Sequence, residues 1–297
     1  SESILGNICA LYKLMQSQKY DIVHAHMTLT NFFPLFVAGL CGIKIRVSHS
    51  HMAGKITIKS KLLSFLSCKV ATDYFACGEN AGKYLYGCRE FQIINNAIEL
   101  DKYSPNAETR KIQRNKLGIN EETTVLGHVG RFTYQRIIDI FGKFNKINPD
   151  SVLLLVGGGE KYQEITRIVS EKKLKDKVIF TGIIDDVYNV IQVMDLFLLP
   201  SFYEGLCLAA VEIQAGGIPC LFSDRVAYET KINQNVEFFS LNESNDVINT
   251  KIKKLLAMDR QIDKESFAQR GFDIRVEASK LDQFYKRRMK DEYMERT

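Results

Sequence analysis

Residues 124–156 read TVLGHVGRFTYQRIIDIFGKFNKINPDSVLLLV, and the spacing of the apolar positions changes twice within them. Thr124 to Val129 is a short apolar run closed by Gly130, which predicts a buried strand. Ile137, Ile138, Phe141 and Phe144 then fall at i, i+1, i+4 and i+7, one face of a helix. Val152 to Val156 is a second apolar run. Strand, amphipathic helix and strand in succession make a βαβ unit, which implies a parallel sheet with helices packed on its faces.

The same alternation extends in both directions. Strands are expected at 21–25, 43–48, 73–76 and 92–94, and then at 124–129, 152–156, 178–180, 196–199, 219–222 and 236–239. Between the two series, residues 95–106 read NNAIELDKYSPN, a polar stretch with a proline that reads as a linker. It is followed by a charged helix over 107–117. The chain therefore divides near residue 100. Residues 101–272 have the strand count of a complete doubly wound domain. Residues 1–100 have about four strands and open on a helix whose apolar face is Ile4, Ala10, Leu11, Leu14 and Met15. A doubly wound domain ordinarily opens on a strand and a phosphate-binding turn. The chain also begins Ser1-Glu2-Ser3 without Met, so this first domain is expected to be truncated.

Composition narrows the function classes. With 297 residues, 45% hydrophobic and 25% charged, the chain is neither disordered, collagenous nor a disulfide scaffold. A net charge of +5 suits a phosphate-bearing ligand or an anionic membrane surface, and is too weak to imply nucleic acid. The cysteines number seven, with no C-x-x-C spacing. That leaves a zinc ribbon, a redox pair and a disulfide framework unsupported, and points to the cytoplasm. The longest uncharged apolar stretch, residues 32–43, is too short to span a bilayer.

The most informative stretch is Pro200-Ser201-Phe202-Tyr203-Glu204-Gly205-Leu206-Cys207-Leu208-Ala209-Ala210-Val211-Glu212. It follows the strand at 196–199 at its carboxyl end, where open α/β sheets bind ligands. Gly205 permits a sharp turn, and the helix that follows offers N–H groups and a positive dipole end to an anion. Glu204 before the helix and Glu212 inside it are suited to accept hydrogen bonds from the hydroxyls of a sugar and a ribose. Taken alone, the pattern is equally that of a helix start with an acidic residue at its dipole and a surface glutamate. A second stretch, Gly127-His128-Val129-Gly130-Arg131-Phe132-Thr133-Tyr134-Gln135-Arg136, sets two arginines on a glycine-containing loop. Arginine reads phosphate bidentately, so the pair suits a diphosphate; a solvated basic loop is the plain alternative.

With these residues in hand, the chain resembles the glycosyltransferases of family 4, retaining nucleotide-sugar enzymes of the GT-B fold. The likeness runs through Asp21-Ile22-Val23-His24-Ala25-His26, Ser48-His49-Ser50-His51, Asn95-Asn96-Ala97-Ile98-Glu99, the stretch from Gly127 to Arg136, Val152 to Gly159, Phe180-Thr181-Gly182, and Pro200 to Glu212 with its E-x7-E spacing. The subgroup it resembles makes bacterial exopolysaccharides and capsules. The resemblance implies two doubly wound Rossmann-like domains facing a cleft, the N-terminal one incomplete here. It also implies a final helix over 273–297 that returns to the first domain, with Ala278, Leu281, Phe284 and Tyr285 on its apolar side.

Residue roles follow from the same resemblance. Gly130, Arg131 and Arg136 match the donor-phosphate loop, with arginine at 136 where the family usually has lysine. Glu204 matches the carboxylate on the donor sugar, and Glu212 the one on the ribose. Main-chain N–H groups of Leu206, Cys207 and Leu208 would meet the distal phosphate and sugar. Gly182 and Ile183 lie where the base is gripped, and His26 matches a histidine near the transferred sugar. The implied partners are a nucleotide-sugar, with UDP favoured, and a glycan or lipid-linked acceptor, with peripheral contact at the inner membrane face. Leaving-group charge would be met by arginines and a helix N-terminus, so no metal or cofactor is expected. A non-catalytic nucleotide-sugar-binding protein and a nucleotide-sugar epimerase of the same fold are the competing readings.

Two further features bear on the site. His24 and His26, like His49 and His51, are i and i+2, so each pair projects to one side of its strand. Two such pairs would suit zinc, but no Cys or carboxylate nearby in sequence completes a ligand set, and no metal site is expected. The pattern instead sets His26 and His51 at strand ends, with His24 packing or pairing internally. Against the family pattern, Ile137 and Ile138 follow Arg136 at once, as if a helical turn were missing, and Ala97 replaces a linker glycine.

Overall fold

The computed structural model describes residues 4–132, 136–202 and 206–296. They form two compact units, one of Ser1–Ala97 with Gly271–Thr297 and the other of Ile98–Arg270.

In the first unit, β1 (Ile22–Ala25), β2 (Ile45–Ser50), β3 (Asp73–Ala76) and β4 (Gln92–Ile93) form a parallel sheet in chain order. Ile22 lies opposite Ile45 and Ala25 opposite Ser48. Ile45, Val47 and Phe75 build one face of the core with Phe284 from the helix Ile274–Arg296. Two helix faces differ from expectation. In the first helix, Ile4–Ser17, Met15 is buried with Ile8 and Leu11 packed beside it, whereas Ala10 and Leu14 are exposed. The face that packs repeats at i, i+3 and i+7, and Leu14 lies off it. In the last helix Ala278 is exposed and Glu277 is buried. The Glu277 carboxylate accepts the backbone N–H of Asn95 at 3.1 Å and pairs with Lys280, which meets the cost of burying it.

The second unit holds β5 (Thr124–Arg131), β6 (Ser151–Gly158), β7 (Val178–Gly182), β8 (Leu196–Leu199), β9 (Cys220–Ser223) and β10 (Val236–Phe239). Their parallel order is β10-β9-β8-β5-β6-β7, the doubly wound arrangement in which the winding reverses between β5 and β8. Both faces of the sheet are covered. Leu126, Leu153 and Leu196 pack on one side with Ile138, Phe141 and Phe144 of the helix Arg136–Ile147. Val125, Leu154 and Phe197 pack on the other with Ile213 of the helix Leu208–Ala215. Strands buried on two faces read as unbroken apolar runs, which is why the sequence displayed them plainly. All ten expected strands are present among the described residues.

The stretch 95–106 is more than a tether. Ile98 and Leu100 are buried, Leu100–Tyr103 forms a helical turn, and Asn106 caps the helix Ala107–Leu117 by accepting the Thr109 N–H at 2.8 Å. Among the described residues only Thr28 and Lys173 are non-glycine positions with positive φ, so Ala97 carries no left-handed strain.

Candidate functional site

The carboxyl ends of β5 and β8 flank the point where the winding reverses, and a cavity of about 320 Å³ opens there. His128, Gly130, Arg131 and Phe132 line it from the end of β5, Pro200 and Ser201 from the end of β8, and Cys207 and Ala209 from the start of the helix Leu208–Ala215. The β5 part of this lining packs main chain against main chain of the neighbouring strand β6. Gly157 has φ +124°, and a Cβ there would stand 2.2 Å from the Gly130 carbonyl oxygen. Gly159 has φ +145°, and a Cβ there would meet the Phe132 nitrogen at 2.9 Å. Neither position tolerates a side chain, and the close approach lets the Phe132 N–H donate to the Gly158 carbonyl at 2.7 Å.

The cavity is arranged for an anion. Cys207 caps the helix Leu208–Ala215, whose positive dipole end faces the lining. Arg131 is exposed at the rim. His128 was not singled out from sequence as a site residue, although it sits within the GHVGR stretch. Its Nδ1 lies 3.0 Å from the Leu198 carbonyl and donates to it, which leaves Nε2 as an acceptor. Burial lowers its pKa, so the ring is neutral and cannot supply a cation.

The remaining expected residues are distributed around this point. Arg136 does not line the cavity: its Nη2 donates to the Glu243 carbonyl at 2.9 Å, and it borders a separate pocket with Lys143 and Lys172. The structure thus brings Arg131 to the cavity and turns Arg136 toward the helix Asn245–Leu256. Glu212 is half-buried in the helix Leu208–Ala215 and hydrogen-bonds the Tyr103 hydroxyl. Burial raises its carboxyl pKa, while Tyr103 and Lys102 oppose that rise. The Tyr103 hydroxyl is itself pushed up, first by burial and then by the facing carboxylate. Tyr103 is a site neighbour that sequence reasoning missed, because the contact joins the linker to a distant helix. Gly182 ends β7 with φ +72°, and Ile183 after it is 86% exposed beside Gly158. Leu206 and Leu208 are exposed at the helix start. Glu204 and Gly205, like residues 133–135, lie outside the described residues.

In the first unit, four of the five histidines of the chain gather at the carboxyl ends of β1 and β2. His24 and His26 stack at 4.1 Å between ring centroids, and so do His49 and His51. Across the strands, His24 Nε2 lies 3.2 Å from His49 Nδ1, and His26 Nδ1 lies 2.8 Å from His51 Nε2. Tyr285 Oη holds His24 Nδ1 at 2.5 Å. Burial and the neighbouring rings lower the pKa of His24 to about 3 and that of His49 to about 2. His26 and His51 are lowered as well, chiefly by burial. The loop after β1 is anchored at buried Thr28, with φ +51°, whose Oγ1 accepts the His51 N–H at 3.1 Å. Asn31 fastens the same loop to β2 through the Ser48 hydroxyl and the His49 carbonyl. His24 pairs internally, with Tyr285 and with His49 of this cluster.

Comparison with known proteins agrees with this architecture. Residues 109–272 match the family described as glycosyl transferases group 1. The putative glycosyltransferase EpsF of Bacillus subtilis (strain 168) is 28% identical over 292 residues, covering 92% of this chain and 76% of that protein. The UDP-Gal:alpha-D-GlcNAc-diphosphoundecaprenol alpha-1,3-galactosyltransferase of Escherichia coli is 26% identical over 271 residues, covering 84% of this chain and 70% of that one. Among solved structures, Anabaena Alr3699/HepE in complex with UDP superposes with a TM-score of 0.76 at 18% identity, covering 96% of this chain and 84% of that one.

Proposed function

The chain belongs to the glycosyl transferases group 1 family, and from that premise we propose that it moves a hexose from a UDP-sugar to a glycan or lipid-linked acceptor in polysaccharide synthesis. The observation that carries this reading is the cavity at the reversal point between β5 and β8, where Gly130, Arg131 and the start of the helix Leu208–Ala215 converge. Glycine main chain permits close approach of a diphosphate, the arginine and the helix dipole match its charge, and Glu212 of the same helix is the residue we assign to the ribose hydroxyls. The names of the E. coli relative, a UDP-galactose enzyme with a diphosphoundecaprenol acceptor, and of the UDP complex of HepE support this choice of nucleotide and acceptor class.

The mechanism proposed is electrostatic. As the bond between sugar and diphosphate breaks, negative charge grows on the leaving phosphate, and Arg131 with the helix N-terminus stabilises it without a metal at the phosphates. The acceptor hydroxyl attacks from the same face and gives its proton to the departing phosphate, so configuration is retained. Main-chain groups at Leu206, Cys207 and Leu208 hold the distal phosphate, Gly182 and Ile183 the base. Glu204 attends the transferred sugar. Arg136, turned to Glu243, is left out of the phosphate set.

Calorimetric titration with UDP tests the reading, with Arg131→Ala and Glu212→Ala alongside. Micromolar binding is expected, weakened about tenfold or more in each variant, the scale of one charge-assisted hydrogen bond. Absence of UDP binding, or variants that bind as the parent does, would overturn it.

Peripheral membrane contact is part of the same proposal, on a different surface from the basic stretch near the C-terminus. There Lys286 pairs with Asp282, Arg288 with Asp73, and Arg287 lies over the Phe284 ring. The helix Ile58–Val70 instead exposes Ile58, Leu62 and Phe65 at i, i+4 and i+7, with Lys59, Lys61 and Lys69 also exposed. An apolar stripe among lysines suits an anionic bilayer surface. Among the described residues no helix is long and apolar enough to cross a membrane. Co-flotation with phosphatidylglycerol vesicles is expected, and its loss in an Ile58→Asp, Leu62→Asp double variant; flotation unchanged by the double substitution would exclude this helix.

A further inference from the structure

The histidine cluster of the first unit has a geometry that hydrogen bonding alone leaves unexplained. One ring nitrogen from each of His24, His26 and His49 lies within 4.8 Å of the other two. Two nitrogens bound at about 2.0–2.1 Å to one tetrahedral zinc stand about 3.4 Å apart. His24 Nε2 and His49 Nδ1 are already 3.2 Å apart. We propose that His24, His26 and His49 form a binding site for a divalent transition-metal ion of the zinc class, with His51 beside His26 at its open side.

Three further observations support the site. The first is tautomer control. A metal-binding imidazole ordinarily donates its second N–H to an oxygen, which orients the ring. The Tyr285 hydroxyl at 2.5 Å occupies that position for His24 Nδ1, so His24 Nε2 can present its lone pair toward His49. The second is His49, whose ring faces the Ile94 backbone as a hydrogen-bond partner; an N–H on Nε2 leaves the lone pair on Nδ1, 3.2 Å from His24 Nε2, for the ion. The third is access and rigidity. His26 is exposed, which gives an ion a way in, while β1 and β2 hold the ligands on paired strands. Imidazole suits zinc, copper, nickel and cobalt, and poorly suits magnesium or calcium. The site is separate from the phosphate chemistry proposed for the second unit and does not rest on it.

The test is titration of the purified chain with Co²⁺ and with Zn²⁺, followed by X-ray absorption at the zinc edge. Expected are one ion per chain at micromolar affinity, the visible ligand-field bands of tetrahedral Co²⁺, and a first shell of nitrogen and oxygen without sulfur. His24→Ala and His26→Ala should each weaken binding at least tenfold; His26 is exposed, so its removal spares the core. Cys9 and Cys88 are exposed thiols, and Cys9→Ser, Cys88→Ser should leave binding intact. Absence of binding, a sulfur ligand, or affinity unchanged in the two histidine variants would overturn the proposal. Should His24→Ala fail to fold, the absorption spectrum of the parent chain and the His26→Ala titration still decide.

Discussion

At the scale of single residues, the cavity depends on what is missing from Gly157 as much as on what Arg131 supplies. Gly157 lies opposite Gly130 in the ladder between β5 and β6, and its φ of +124° disfavours any side chain. Gly157→Ala puts a methyl carbon 2.2 Å from a main-chain oxygen, which cannot swing aside as a flexible side chain could. The substitution is expected to cost about 1–3 kcal/mol of stability for the strained backbone alone and to abolish UDP binding by separating the strand ends. Urea unfolding and calorimetry read the two effects, and a variant with unchanged midpoint and affinity would refute the packing argument. Glu212 was legible from its spacing to Glu204, but Tyr103, which engages its carboxylate, was not. Spacing reports neighbours along one chain segment, and this contact crosses between two.

At the scale of elements, the helix Ala107–Leu117 is joined to the sheet by charge. Arg114 is 1% exposed and donates to the carbonyls of Asn120, Glu121, Thr123 and Val193. Its Nη2 lies 2.9 Å from Asp195, which also pairs with Arg110 and accepts the Val125 N–H at 2.8 Å. Asp195 thus ties this helix to β5 and to the start of β8. Asp195→Ala leaves a buried guanidinium without its counter-charge, so a loss of about 3–5 kcal/mol is expected. A drop below about 1 kcal/mol in denaturant titration would mean that the carbonyls alone suffice. From sequence the helix was recognisable as a charged one, and nothing in it marked Arg114 as buried. Burial of a cation is decided by partners on other elements, which periodicity does not report. The same limit explains the exposed Leu14 and Ala278 and the buried Glu277.

At the scale of the whole molecule, the two units differ in their response to acid. The first holds four histidines in one cluster, the second only His128. In the folded state His24 titrates near 3 and His49 near 2, whereas in the unfolded chain each returns toward 6.5. Below 6.5 the unfolded chain therefore binds more protons, and stability falls as pH falls. The stabilising effect of the neutral rings is complete above pH 6.5 and is lost progressively toward pH 3. The first unit is expected to melt at lower temperature than the second across this window, followed by circular dichroism and by proteolysis at the linker. A melting temperature independent of pH there would contradict the buried-imidazole account.

The sequence alone determined the alternation of ten strands and their helices, the division near residue 100, and the glycine, arginine and glutamate stretches at strand ends. These are local properties: apolar period, turn chemistry and spacing along one segment. Tertiary structure decided which of those residues meet. It drew Arg131 to the cavity and Arg136 away from it, set Tyr103 on Glu212, and turned two separate histidine pairs into one cluster. The register of β1 on β2 supplies the His24–His49 contact, and a register depends on pairing between strands that no single stretch of chain contains.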